Sequence, residues 1–130
     1  MPLAVLASVF VLLAGVLHGY IFLMESVWWT RPTIWRRFGV GSQADAEVLR
    51  PMAYNQGFYN LFLGVGAVLG TVLFWSGAPE VGRGIAMFAT GSMVLASLVL
   101  LSTGARNLRP ALIQGVLPLI GFVFFLFVWR

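Results

Sequence analysis

The stretch MPLAVLASVFVLLAGVLHGYIFLM, residues 1–24, carries no charged side chain. As an α-helix at about 1.5 Å per residue it is about 36 Å long, enough to cross about 30 Å of hydrocarbon. It lacks the strict apolar–polar alternation of a membrane β-barrel strand. Backbone groups in lipid must be satisfied internally, and a helix does this within one segment. Cutting the rest of the chain at its charges gives three more uncharged runs, 51–79, 84–105 and 110–129. The sequence therefore predicts an all-α, polytopic membrane protein. Its expected form is an antiparallel bundle of four transmembrane helices, about 3–28, 52–75, 84–103 and 111–129, in a single transmembrane domain over 1–130.

Composition points the same way. Hydrophobic residues make up 60% of the chain and charged residues 9%, against about 25% charged in a soluble domain. So few charges do not cover a water-soluble surface, which excludes a soluble globular enzyme and a disordered tail. The net charge of +4 would suit nucleic acid. However, all the basic residues are arginines and they sit between apolar runs, where they act as topology signals. Nucleic acid is therefore not an expected partner; the lipid bilayer is. The absence of cysteine excludes disulfides and thiolate metal sites.

Arg31, Arg36, Arg37, Arg50, Arg106 and Arg109 fall on one side of the predicted topology, and Arg83 and Arg130 on the other. The positive-inside rule then gives a multi-pass protein of the cell inner membrane. Loops 30–50 and 106–109 are expected in the cytoplasm and both termini outside. The first run has no basic residue before Arg31 and is too long for a signal-peptide core, so it is expected to be retained. Pro32 is expected to end the first helix, Ile34–Phe38 to lie along the interface, and Ser42 to cap a short polar helix. Trp28, Trp29, Trp35, Trp75 and Trp129 all fall near helix ends and read as an interfacial belt. Gly15-x-x-x-Gly19 and Gly66-x-x-x-Gly70 signal close helix packing, within the chain or in a homo-oligomer.

Chemistry has to come from the few polar groups inside the apolar runs, because an ionisable group in lipid is costly to keep. These are His18 and Glu25 on the first helix, Asn55, Gln56, Tyr59 and Asn60 on the second, and Gln114 on the fourth. Seven helical steps of 100° place Glu25 within about 20° of the direction of His18. By depth, the whole set falls in the cytoplasmic half of the membrane. The expectation is a polar pocket opening towards the cytoplasm, holding a hydrophobic or amphipathic small molecule. For each residue taken alone, interhelical packing is the competing reading. One histidine excludes bis-histidine haem and disfavours a catalytic metal centre, and no phosphate-binding or nucleophile-elbow motif occurs. No metal and no cofactor are expected.

Acid–base chemistry needs only His18 and Glu25 as the catalytic pair. Asn55, Gln56, Tyr59, Asn60 and Gln114 would bind and orient a substrate, and Trp28 or Trp29 would shield developing positive charge. Isomerisation, cyclisation and epoxide opening are reactions of this kind. The alternative is a non-catalytic protein, either a small transporter or an accessory membrane subunit.

His18-Gly-Tyr-Ile-Phe-Leu-Met-Glu25, Trp29-Thr-Arg-Pro, Phe38-Gly39, Asn55-Gln56-Gly57-Phe58-Tyr59-Asn60, and Gln114 with Pro118 together resemble domain-of-unknown-function family 1304. That resemblance covers essentially the whole chain and implies a small four-helix membrane protein. It marks the same polar positions and implies no activity. A looser, architectural likeness to small four-helix sterol isomerases implies no shared motif.

Overall fold

The computed structural model describes residues 2–128; Trp129 and Arg130, used in the belt and topology readings, lie outside them. Five α-helices follow in order: α1 Pro2–Phe22, α2 Pro32–Trp35, α3 Gln43–Trp75, α4 Pro79–Ser102 and α5 Leu108–Leu126. Four segments are long and apolar enough to span a membrane: Pro2–Val27, Gln43–Trp75, Pro79–Ser102 and Ala105–Leu126. The protein is an all-α, polytopic membrane bundle.

The residues fall into two compact units, residues 1–17 with 63–130, and residues 18–62. In the first unit, α1 presents Ala4, Ala7, Val11 and Ala14 as one buried stripe at spacings of three and four. On α5, Ala111, Gly115, Pro118, Gly121 and Phe125 form another. Stripes this small suit a membrane, where helix association depends on close packing rather than on expulsion from water.

Contacts within that unit fix the helix order and directions. The Trp75 indole N–H donates to Ser8 Oγ at 2.9 Å, and Gly15 faces Gly64 and Ala67, so α1 and α3 run antiparallel. Gly66 faces Ala89, and Gly70 faces Ala86 and Gly82, so α3 and α4 do too. Arg83 donates to the carbonyls of Phe125 and Leu126 at 2.8 and 3.1 Å, and Gly115 faces Ser97, so α4 and α5 are again antiparallel. Val11 packs on Gly121 and closes the ring. A methyl built at Gly70 would come within 2.8 Å of the Ala86 Cα, and one at Gly82 would overlap the backbone of Phe74. The glycines at 15, 66 and 70 are thus occupied by helices of the same chain, whereas Gly19 has nothing within 4 Å of such a methyl.

The second unit departs from expectation in three ways. Regular α-helix stops at Phe22, and Leu23–Val27 form a π turn in which the Trp28 amide donates to the Leu23 carbonyl at 2.8 Å. Pro32 does not terminate a helix; it occupies the first turn of α2, where its missing N–H costs nothing. The polar segment after Ser42 is not a separate helix but the start of α3, which has 33 residues and continues through Pro51. Ser42 does cap it. Its Oγ accepts from the Asp45 amide at 3.1 Å, which satisfies one orphan N–H of the first turn, and donates to Asp45 Oδ2 at 2.7 Å.

Two tryptophans assigned to the belt are core residues here. Trp29 and Trp35 are buried with Ala46 and Ala53. The Trp29 indole donates to the Ala46 carbonyl at 2.8 Å and the Trp35 indole to Gln43 Oε1 at 2.9 Å. Gln43 Nε2 reaches back to the Thr30 carbonyl at 3.2 Å. These bonds clamp the segment after α1 onto the first turns of α3.

Candidate functional site

Two helical elements of the second unit meet at a glycine. Ser26, on the π turn, donates from Oγ to the Tyr54 carbonyl at 2.8 Å. A methyl built at Gly57 would overlap that Oγ and lie 3.0 Å from the Ser26 Cβ. Only glycine lets the π turn come this close to α3. The approach sets the neighbouring residue, Glu25, beside Asn60.

Asn60 Nδ2 donates to Glu25 Oε2 at 2.8 Å and to the Gln56 carbonyl at 3.1 Å. Both amide hydrogens are used, so the group is held. Both side chains are half-buried. Among the described residues Glu25 forms no salt bridge and bonds to no other side chain. No fully buried side-chain polar atom among them lacks a partner, so Glu25 Oε1 is not sealed off. The carboxyl is thus anchored through one oxygen and open through the other. A held amide donor suits both protonation states of such a group: its N–H donates to a carboxylate oxygen, and equally to the carbonyl oxygen of the acid when the proton sits on the other oxygen.

The other expected site residues are placed as follows. His18 is buried, 2% exposed, in the last turns of α1. Asn55, Gln56 and Tyr59 are exposed; Gln56 contributes its backbone carbonyl to the site. Gln114 is half-buried on α5, in the first unit, and Pro118, four residues on, supplies no amide to its carbonyl. Trp28 is half-buried, edge-on to Tyr20 at 6.2 Å, with the Arg31 guanidinium 5.4 Å over its ring. Trp29 gives its N–H to Ala46. Among the described residues no group of three or more His, Asp or Glu side chains is placed to hold a metal. A cavity of about 430 Å³ lies in the first unit, lined by Phe74, Glu80, Arg83, Met87 and Val128 among others.

Sequence reasoning missed Ser26 and Gly57. Gly57 carried a signal, since a glycine inside a helix costs about 1 kcal/mol and marks a close approach. Ser26 carried none.

The family model for DUF1304, a protein family of unknown function, matches residues 12–126. The chain belongs to the DUF1304 family. The DUF1304 match takes in Glu25, Ser26, Gly57 and Asn60, and all four spanning segments in whole or large part. Comparison with curated proteins and with solved structures found no match.

Proposed function

We propose that this DUF1304 member is an inner-membrane protein whose second unit binds a hydrophobic or amphipathic small molecule at Glu25 and exchanges a proton with it. The carrying observation is the 2.8 Å bond from Asn60 to Glu25. It joins a π turn to a long spanning helix inside apolar sequence, with no cation among the described residues to pair the acid. The π turn closes the first span and carries Glu25 and Ser26 against α3. Counting about 20 residues back from Trp75 puts the membrane boundary near residue 55 and Asn60 about 7 Å inside it.

In this reading Glu25 is the acid or base and Asn60 positions it through either protonation state. His18 is the second titratable group of the same helix. No metal enters the chemistry. The reaction class is proton transfer on the bound molecule, as in isomerisation, cyclisation or epoxide opening. Topology follows the arginine count, with loops 30–50 and 106–109 cytoplasmic and both termini outside.

The test is extraction of the purified protein with organic solvent and mass spectrometry of the extract. A small molecule enriched in the wild type and depleted in Glu25→Gln and Asn60→Leu, at comparable yields of folded protein, supports the reading. Identical extracts from all three would overturn it. The exposure of Asn55, Gln56 and Tyr59 favours a second reading, an accessory subunit that meets a partner along this edge of α3. It predicts co-purification of another membrane protein, lost on substitution at Tyr59. An oligomer built through glycine faces has Gly19 and Gly84 available, since neither meets anything within 4 Å.

A further inference from the structure

We infer that residues 28–50 form a docking surface for anionic phospholipid headgroups, with Arg31, Arg36 and Arg37 as the phosphate-binding groups. The segment holds four arginines and two acids. Both acids are engaged locally: Asp45 with Ser42 at 2.7 Å, and Glu47 with Gln43 at 3.2 Å and with Arg50 at 3.9 Å. Arg31, Arg36 and Arg37 have no carboxylate partner among the described residues, and all three are exposed. The segment therefore presents three uncompensated cations, which is more specific than a count of arginines in a loop.

Two of the three are pre-positioned. The Arg31 guanidinium lies 5.4 Å over Trp28 and that of Arg36 lies 5.2 Å over Trp35. A guanidinium held over an indole face by cation–π attraction keeps N–H groups free to donate, since the ring accepts none of them as a conventional hydrogen bond. Those groups form a planar fork matched to phosphate oxygens. The rings beneath are themselves held, Trp35 by burial and its bond to Gln43. The backbone is held as well: the Gly39 amide donates to Arg36, the Val40 amide to Trp35, and Gly39 turns the chain at φ 77°. In this segment Ile34 and Trp35 face the protein while Arg36, Arg37 and Phe38 face outward.

Position selects the source of the phosphate. The first span ends at Val27, and Arg31 follows four residues later. Arginines just beyond a span end sit at the level of the lipid phosphates, where each cation near an anionic surface contributes about fivefold in affinity. A phosphate group in bulk water gains nothing from that placement.

The test uses the full chain in neutral detergent, titrated with short-chain phosphatidylglycerol, short-chain phosphatidylcholine or inorganic phosphate. Bound lipid is counted by native mass spectrometry and the melting temperature is followed in parallel. Phosphatidylglycerol is expected to bind and raise the melting temperature, and the other two probes are not. The variant R31Q/R36Q/R37Q is expected to lose at least about tenfold in apparent phosphatidylglycerol affinity, whereas R106Q/R109Q, which removes two exposed arginines with no indole beneath them among the described residues, should lose less than that triple variant. R31K/R36K/R37K retains the charge for membrane insertion but not the planar guanidinium fork, and is expected to lose at least about threefold. It decides the matter if the glutamine variant does not fold. Three results would each overturn the proposal: equal response to phosphatidylcholine, an equal rise with inorganic phosphate alone, or wild-type affinity in the lysine variant.

Discussion

Glutamine at position 25 keeps an oxygen for the Asn60 amide while removing the ionisable group. Glu25→Gln is therefore expected to melt within about 0.5 kcal/mol of the wild type and to lose the ligand or phenotype. Asn60→Leu removes the one side-chain donor to Glu25 among the described residues and is expected to cost about 1–3 kcal/mol, the range for leaving a half-buried acceptor unpaired. Differential scanning fluorimetry in detergent separates the two. Gly57→Ala places a methyl against Ser26 and is expected to cost about 1–3 kcal/mol. Ser26→Gly in the same chain should restore most of that loss; no restoration would show that the close approach is not what demands glycine. Glu25 and Asn60 were legible in the sequence because polar groups are rare in apolar runs. Their direct contact was not. Placing Glu25 in the direction of His18 requires 100° per residue throughout, and the π turn over Leu23–Val27 advances the chain by less per residue. Nothing in the residues of that turn announces it.

At the scale of elements, the clamp of the 29–42 segment onto α3 rests on two indole N–H groups. Trp29→Phe keeps an aromatic ring but a smaller one, deletes the bond to the Ala46 carbonyl and leaves part of the buried indole volume unfilled. It is expected to cost about 2 kcal/mol or more, read from the melting temperature, and Trp35→Phe a similar amount. If the two share one cooperative clamp, the double variant will depart from the sum of the singles; strict additivity would argue that they act separately. A tryptophan near a helix end reads as an interfacial anchor because the sequence does not say whether lipid or folded loop lies beside it. Here the loop folds back, so Trp29 and Trp35 are core. The length of α3 was underread for a related reason. Gln43–Arg50 is polar and Pro51 looks like a boundary, yet the Ser42 cap starts the helix early and the proline is tolerated within it.

For the whole molecule, the four spanning segments and their antiparallel order were legible because charge-free length is a direct consequence of bilayer thickness. Which glycines meet which helices was not, since a small-xxx-small spacing names no partner. Gly82→Leu drives a side chain into the backbone of Phe74, which has no rotamer with which to yield. A loss of about 3 kcal/mol or more is expected, seen as poor recovery of folded protein; Gly19→Ala, whose methyl meets nothing within 4 Å, should be recovered normally. The chain has no cysteine, so Ala44→Cys and Ser76→Cys report topology without background. A membrane-impermeant maleimide on intact cells is expected to label position 76 and spare position 44. The reverse pattern would invert the proposed orientation.

Three of the five tryptophans, Trp28, Trp29 and Trp35, belong to the second unit, and two of them are buried with their N–H groups bonded. Intrinsic emission from this protein is thus weighted towards residues 18–62 rather than shared evenly along the chain. A red shift on heating will report release of the indole clamp, while circular dichroism at helical wavelengths will report all the spans together. Divergence between the two melting curves would be the optical signature of the second unit opening before the rest.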